Sequence, residues 1–443
     1  MANYLNTRRV NRRDFLKLGG GVAVGLTSAS LLSGSALART LLQPADIAPS
    51  RGPAQRAPLG VPTPDLYLAG TDGWVCLAPT VSIPPYHPDS FAPAPFTTYI
   101  FGFRNVTGMT ADQVQAQKGR GQITAPIIGT DEGHDFRINL TNVGLLQRPD
   151  LFDSHTFHWH GFRNAIPFFD GEPIGSVSVP VDRDLTYYYH PRDPGTYLYH
   201  CHFEDSEHVH MGMTGCVYVR PAQNGGGYRY AYNGLLPTDP LSTSYDREFV
   251  IVLTDVWAEI HWGDAHIQLA DWSDYVPDFF LMNRRLYPDT LAPNGGLTDS
   301  SGDLIAPSGH PELQYQPISS LIQCNAGDRV LLRMVNLSYL EQSMTLTGIP
   351  MRVVGKDATY LRGQDGVTDL TYTTDCVTFN AGESTDAIFV APPHTGGGYD
   401  TYLLYNRNYD RLNSGGGAGL GGQMTEIRVW ATGTLGPQTV PNT

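Results

Sequence analysis

The amino-acid sequence predicts an all-β protein made of two Greek-key β-barrel or sandwich domains in tandem, and three observations lead there. Short β-type runs recur along the 443 residues, separated by Gly, Pro, Asn and Asp. No segment keeps a helical period, and the two halves of the chain resemble each other. Composition agrees: 48 Gly, 33 Pro and 24 Tyr with only 16% charged residues describe a turn-rich soluble chain.

The first 40 residues read as an address. Asn11-Arg12-Arg13-Asp14-Phe15-Leu16-Lys17 precedes an uncharged stretch from Leu18 to Leu37 and the small-residue pattern Ala36-Leu37-Ala38. The paired arginines resemble a twin-arginine export signal, which implies a periplasmic or secreted protein with no stable membrane span after processing. Residues 41–60, with Pro44, Pro49, Pro53 and Pro58, form a flexible lead-in.

A first domain is expected over 60–222, with β-runs including 97–106, 135–143, 156–162, 185–190, 196–202 and 215–220. A second is expected over 223–435, with an irregular insertion at 258–315 and a tail at 436–443. Gly133–Asn142 matches Gly327–Asn336. His158-Trp-His160 lies where the second half has Thr345-Leu-Thr347. Tyr199-His-Cys-His202 lies where it has Tyr405-Asn-Arg-Asn408.

The net charge of −14 argues against nucleic acid as a partner, since a phosphate-binding surface needs clustered Lys and Arg. Five cysteines are an odd number for an oxidising compartment. Cys76–Cys216 and Cys324–Cys376 are candidate intradomain disulfides, which sequence leaves open. Cys201 is left over.

Eight of the 14 histidines fall in residues 155–210, where an even scatter would put about two. Side chains two apart on a strand share a face. His158 and His160 therefore share one, as do His200 and His202, while His155 and Cys201 point to the other. Pairing the two strands gives two ligand sets, back to back.

The loop after Cys201 adds His208 and Met213 to the first set. Two imidazoles, a thiolate and a thioether suit type 1 copper in electron transfer, whereas structural zinc rarely takes methionine. The second set, His158, His160, His200 and His202, is all imidazole. It suits copper that changes oxidation state and meets a small oxygen species. Cys201 lies covalently between His200 and His202, a short path between the sets. Asp170, before Gly171, is the nearest candidate acid for proton delivery, and equally a turn residue. His87, His134, His190, His310 and His394 read as solvated or core residues.

His155-Thr-Phe-His158-Trp-His160-Gly161 and Tyr199-His200-Cys201-His202, continuing to His208-Val-His-Met-Gly212-Met213, resemble the copper motifs of multicopper oxidases, the laccase group. The resemblance implies two cupredoxin (plastocyanin-like) domains. It makes His155, Cys201, His208 and Met213 type 1 ligands, and His158, His160, His200 and His202 ligands of type 2 and type 3 coppers, with Asp170 an acid beside them. It also implies one-electron oxidation of small donors, phenols or metal ions, coupled to reduction of dioxygen.

That family's cluster takes four histidines from each of two facing domains. Here the second domain offers Thr345, Thr347, Asn406 and Asn408. A homo-oligomer, or another protein, is therefore expected to complete the centre. The alternatives are an electron-transfer or copper-tolerance protein without oxidase activity, and a nitrite-reductase-like enzyme. Cys201 to His208 is two residues longer than usual, His210 is an extra histidine there, and His261 and His266 are further candidate ligands in the insertion.

Overall fold

The computed structural model describes residues 62–443 apart from 164, 226, 236, 240, 270, 297 and 418. The export signal and the lead-in lie outside the described residues. The fold is all-β, as expected, with strands in two pairs of sheets.

In the first pair, β1 (Leu66–Val75), β2 (Thr98–Asn105), β4 (Phe136–Asn142) and β6 (Arg183–Tyr189) form one sheet in the order β2-β1-β4-β6. The other contains β3 (Ile128–Asp131), β5 (His158–His160), β7 (Gly195–His200) and β8 (Thr214–Arg220) in the order β3-β8-β7-β5. Alternation builds the core between them. Tyr187 and Tyr189 of β6 point inward, whereas the Tyr188 hydroxyl donates to exposed Asp135. Phe101, Phe157, Trp159, Tyr199, Cys201 and Met213 share this core.

A two-stranded ribbon, β9 (Arg229–Tyr230) with β10 (Ser244–Tyr245), leads into the second pair. Its larger sheet contains β11 (Arg247–Val256), β12 (Phe279–Met282), β14 (Arg329–Asn336), β16 (Met351–Lys356), β17 (Thr359–Tyr360), β18 (Tyr372–Thr374) and β20 (Ser384–Val390). Its smaller sheet runs β13-β22-β21-β15-β19, namely β13 (Ile322–Asn325), β15 (Gln342–Leu346), β19 (Cys376–Phe379), β21 (Tyr399–Asn406) and β22 (Met424–Trp430). The repeat seen in sequence is repeated in pairing. β1 runs parallel to β4 as β11 does to β14, and β3 runs parallel to β8 as β13 does to β22.

Among the described residues three short helices interrupt the strands: α1 (Ala111–Gln115), α2 (Asp205–Met211) and α3 (Ala258–Ala265). The absence of a helical period holds for long segments only. α2 holds His208 in the segment that follows Cys201.

The insertion is less irregular than its sequence suggests. It contains α3 and β12, and its Leu286, Leu304 and Tyr315 join Val75, Leu77, Ile100 and Ile123 in one buried cluster. So it covers the first pair of sheets as well as extending the second. The tail is docked too: Asn442 Oδ1 accepts from the Val250 amide and Gln438 Oε1 from the Glu248 amide, along the part of β11 that β12 does not reach.

The face of β7 and β8 away from the first core packs on the second pair of sheets. Leu198, Cys216 and Tyr218 meet Val250, Val252 and Val335. Arg333, fully buried there, bonds Glu248 at 3.1 Å and Thr196 at 3.0 Å, and Thr196 donates to Asp386 at 2.5 Å. A charge this deep is tolerated because each partner is charged or hydrogen-bonded.

The two candidate disulfides are not formed; all five cysteines are free thiols. Cys324 and Cys376 sit on β13 and β19, opposite edges of one sheet. Four strand spacings of about 4.8 Å part them, far beyond the reach of a disulfide. Cys76 follows β1 in the cluster that the insertion covers, where its amide bonds Gln316, whereas Cys216 faces the second pair of sheets.

Candidate metal centre

β5 and β7 pair antiparallel with His158 opposite His200 and Trp159 opposite Tyr199. Opposed residues share a face, so the register sends the imidazoles outward and the large aromatics inward. His155 lies just before β5, bridged to Val179, and Cys201 just after β7; both turn into the core.

On the core side, Cys201 Sγ lies 3.3 Å from His208 Nδ1 and 3.9 Å from His155 Nδ1. One ligand atom from each residue falls within 4.8 Å of the others. The Thr156 amide donates to Sγ at 3.4 Å. Met213 is fully buried, its amide bonded to His208 O at 2.9 Å and its carbonyl to the Cys201 amide at 3.1 Å. Gly70 makes room for the set: a Cβ there would lie 2.6 Å from the His155 ring and 3.3 Å from the Met213 methyl.

Burial alone would push the Cys201 thiol up. The charge on His208 and hydrogen bonds from His155 and His208 outweigh it and hold the sulfur well below its ordinary value. Burial likewise opposes charge on His208, but the thiolate and Asp153 raise it to about 10. A thiolate with two Nδ1 atoms aimed at it is a donor set made for a soft or borderline metal.

On the outer side, His158, His160 and His200 offer nitrogens within 4.8 Å of one another. His202 completes the group, its ring 4.9 Å from His158 and 5.4 Å from His200. Burial lowers His158 and His160, and burial with the charge of His158 takes His200 to about 3. His158, His160 and His200 are thus held neutral, the form that ligates metals. His158 Nδ1 donates to the Asp170 carbonyl at 2.7 Å, which leaves Nε2 for a ligand. The Asp170 carboxylate lies 3.8 Å from the same Nδ1.

A cavity of 280 Å³ opens beside His160, His200 and His202, walled on its far side by Leu337, Tyr339 and Gly382 of the second pair of sheets. No histidine comes from that side among the described residues.

The register also corrects the match between the halves. Thr345 pairs with Tyr405 as His158 pairs with His200. The counterparts of His200 and His202 are therefore Tyr405 and Arg407; Asn406 takes the place of Cys201.

The other candidate histidines serve elsewhere. His261 Nδ1 donates to Tyr99 O at 2.6 Å and His266 pairs with Asp89 at 2.9 Å, so neither reaches the site. The extra histidine, His210, is buried among Trp272, Tyr275 and Tyr339. Sequence reasoning missed Thr156, whose amide bonds the sulfur and whose hydroxyl accepts from the His202 amide at 2.8 Å. It missed Asp153 as well, 3.8 Å from His208 Nε2.

Residues 104–224 match the model of the multicopper oxidase family, and they contain both ligand sets. The match falls on strands of the first pair of sheets, from β3 to β8. Copper resistance protein A of Escherichia coli is 23% identical over 278 residues, 58% of this chain and 40% of that protein. Laccase-15 of Oryza sativa subsp. japonica is 24% identical over 283 residues, 63% of this chain and 39% of that one. The chain spans about two fifths of the length of these relatives. A blue copper oxidase from Nitrosomonas europaea shares the fold, with a TM-score of 0.54, 19% identity, and coverage of 82% of this chain and 85% of that one. The family match thus falls within the histidine-rich half, and the shared fold extends over the second pair of sheets.

Proposed function

We propose that this protein is an exported copper oxidoreductase that takes single electrons from small donors, phenols or metal ions, and passes them to dioxygen. Copper in the two sets would supply the one-electron transfer and the reduction of dioxygen to water. The carrying observation is the back-to-back geometry: one residue, Cys201, closes the thiolate set while its two chain neighbours stand in the imidazole set.

His155, Cys201, His208 and Met213 are the proposed type 1 ligands. The Thr156 amide spreads the charge of the thiolate, and burial excludes water from it. His158, His160, His200 and His202 are the proposed ligands for type 2 or type 3 coppers. The Asp170 carbonyl fixes the ring of His158, and its carboxylate is the proposed holder of the proton that dioxygen reduction consumes. Residues 60–222 and 223–435 are the proposed domains, and a second copy of the chain is the proposed source of the remaining imidazoles.

Copper-loaded protein is expected to consume dioxygen when a phenol or a reduced metal ion is added. No uptake with any donor at full copper occupancy would refute the oxidase and favour a carrier. Asp170→Asn should slow turnover by about tenfold or more while leaving the blue colour intact. An unchanged rate would leave Asp170 a turn residue that orients His158.

A further inference from the structure

Away from both ligand sets, a cavity of 380 Å³ lies where the end of β1, the insertion and the loop between β21 and β22 meet. Cys76, Asp289, Glu312, Leu286 and Leu420 are among its lining residues, and none of the proposed copper ligands is. Its frame is fixed by hydrogen bonds. The Tyr287 amide donates to Gly422 O at 3.1 Å and the Thr290 hydroxyl to Met424 O at 2.8 Å, which tie the turn Asp289–Leu291 to β22 and the loop before it. Gly415, at a φ of +54°, seats that loop against Val81, where a Cβ would lie 2.8 Å from a valine methyl.

Three polar side chains of the lining are left with bonding capacity that the chain does not use. Asp289 is bonded through its carbonyl, by Arg285 Nη1 at 3.4 Å and the Ala292 amide at 3.1 Å. Its carboxylate has neither a hydrogen bond nor an ion pair among the described residues. Glu312 is paired with His310 at 3.0 Å through one oxygen, which leaves the other. Cys76 is 3% exposed; its amide bonds Gln316 at 3.1 Å, while its thiol has no partner among the described residues. Polar groups held out of water without a partner carry a cost that a bound molecule can remove.

The charge at the cavity has one sign. Burial, and then the charge of Glu312, holds the Asp289 carboxyl above its ordinary range, and His310 and Arg285 oppose this without reversing it. Burial, with Asp289 and Glu312, pushes the Cys76 thiol up to about 12. A positive charge placed here would relieve both carboxylates. The space is much larger than a bare ion needs, and Val81, Leu286 and Leu420 give it an apolar side. A pocket of this size and lining suits a small molecule with one charged end and an apolar body.

We propose that this cavity binds a small organic cation, a protonated primary amine on an apolar body, with the ammonium between Asp289 and Glu312 and the body against Leu286 and Leu420. The walls come from the first pair of sheets, the insertion and the second pair, so a bound amine would fasten the insertion where it covers the first pair. The site uses no copper chemistry, and it stands or falls apart from the proposed oxidase activity.

Isothermal titration calorimetry of the full-length protein with phenethylamine tests it. Untreated and chelator-treated protein should both bind one equivalent, with a dissociation constant of about 1 mM or tighter. Phenethyl alcohol, the neutral counterpart, should bind about tenfold more weakly or not at all. Asp289→Asn should weaken the amine by about tenfold or more. Leu420→Trp, at a half-exposed position, should fill the cavity and block binding, whereas Glu341→Gln, exposed and outside the lining, should change nothing. Should Asp289→Asn fail to fold, the alcohol and Leu420→Trp decide. No saturable binding by the wild type, equal binding of amine and alcohol, or full affinity in Asp289→Asn or Leu420→Trp would overturn the proposal.

Discussion

The two pairs of sheets present the same inward-facing position at the same register and fill it in opposite ways. In the first, Cys201 donates its amide to Met213 O at 3.1 Å; in the second, Asn406 donates its amide to Gln423 O at 3.0 Å. Around Asn406 the side chains close on one another. Its Nδ2 donates to Gln342 Oε1 at 2.6 Å and to Gln423 Oε1 at 2.7 Å, and Arg411 adds a bond to Gln342 at 3.1 Å. Gln342, Asn406 and Gln423 occupy the places of His155, Cys201 and Met213.

Around Cys201 nothing closes in this way. Nδ1 of each histidine turns toward the sulfur, while Nε2 of each is buried without a hydrogen-bond partner. Buried polar groups must be satisfied, by one another or by something brought in. The amide set is closed by hydrogen bonds between its own side chains, whereas around Cys201 two imidazole Nδ1 atoms and a backbone amide converge on one sulfur. That contrast is the one expected between a position filled by packing and the proposed metal position.

The sharpest break in the comparison is Cys201→Ser. It should abolish the blue absorption of copper-loaded protein entirely while the far-ultraviolet circular dichroism stays that of a β protein. Retained colour would place the type 1 site elsewhere.

Asn406→Ala should leave the colour untouched and lower stability by about 1–3 kcal/mol, because Gln342 and Gln423 each lose a buried partner. Denaturant midpoints of wild type and variant measure it. A cost near zero would mean that water or Arg411 takes over the network, and that the second set is looser than its distances imply.

How much of this was legible beforehand follows from which forces have a short sequence period. Alternation has a period of two, so the two faces of His158-Trp-His160 and His200-Cys-His202 could be read from the letters. Backbone pairing has no such signature. Asn406 and Asn408 copy the spacing of His200 and His202, yet hydrogen bonds between β15 and β21 turn Asn406 to the other face. Packing across hundreds of residues is equally silent. Nothing local in residues 258–315 says that they cover the first pair of sheets, or that Cys324 and Cys376 lie on opposite edges of one sheet. Residues 436–443 read as a tail, and only β11 shows what Gln438 and Asn442 bond.

A third prediction uses the fact that the amide set does not titrate and the thiolate set does. In metal-free protein Cys201 is held well below its ordinary 9.0, and His208 is raised from 6.5 to about 10. Below pH 6.5 the folded chain keeps a thiolate that the unfolded chain protonates, so folding releases a proton and stability climbs with pH. Between 6.5 and 9 the extra proton on folded His208 cancels that release, and the curve flattens. Between 9 and about 10 unfolded cysteine is also ionised while His208 keeps its proton, so stability falls as pH rises. This pair contributes at most about 1.4 kcal/mol per pH unit to each limb, on top of the rise below pH 6.5 that the buried neutral histidines add. Cys201→Ser should remove the pair's share of both limbs, since the thiolate is gone and His208 loses the charge that raises it, leaving below pH 6.5 the rise due to the buried histidines. Asn406→Ala should shift the whole curve down without changing its shape. Denaturant midpoints at pH 5, 7.5 and 10 on chelator-treated protein distinguish the two. If both variants kept the wild-type shape, the thiolate–imidazolium pair would not be what titrates, and the first set would be closer in kind to the second than their hydrogen bonds indicate.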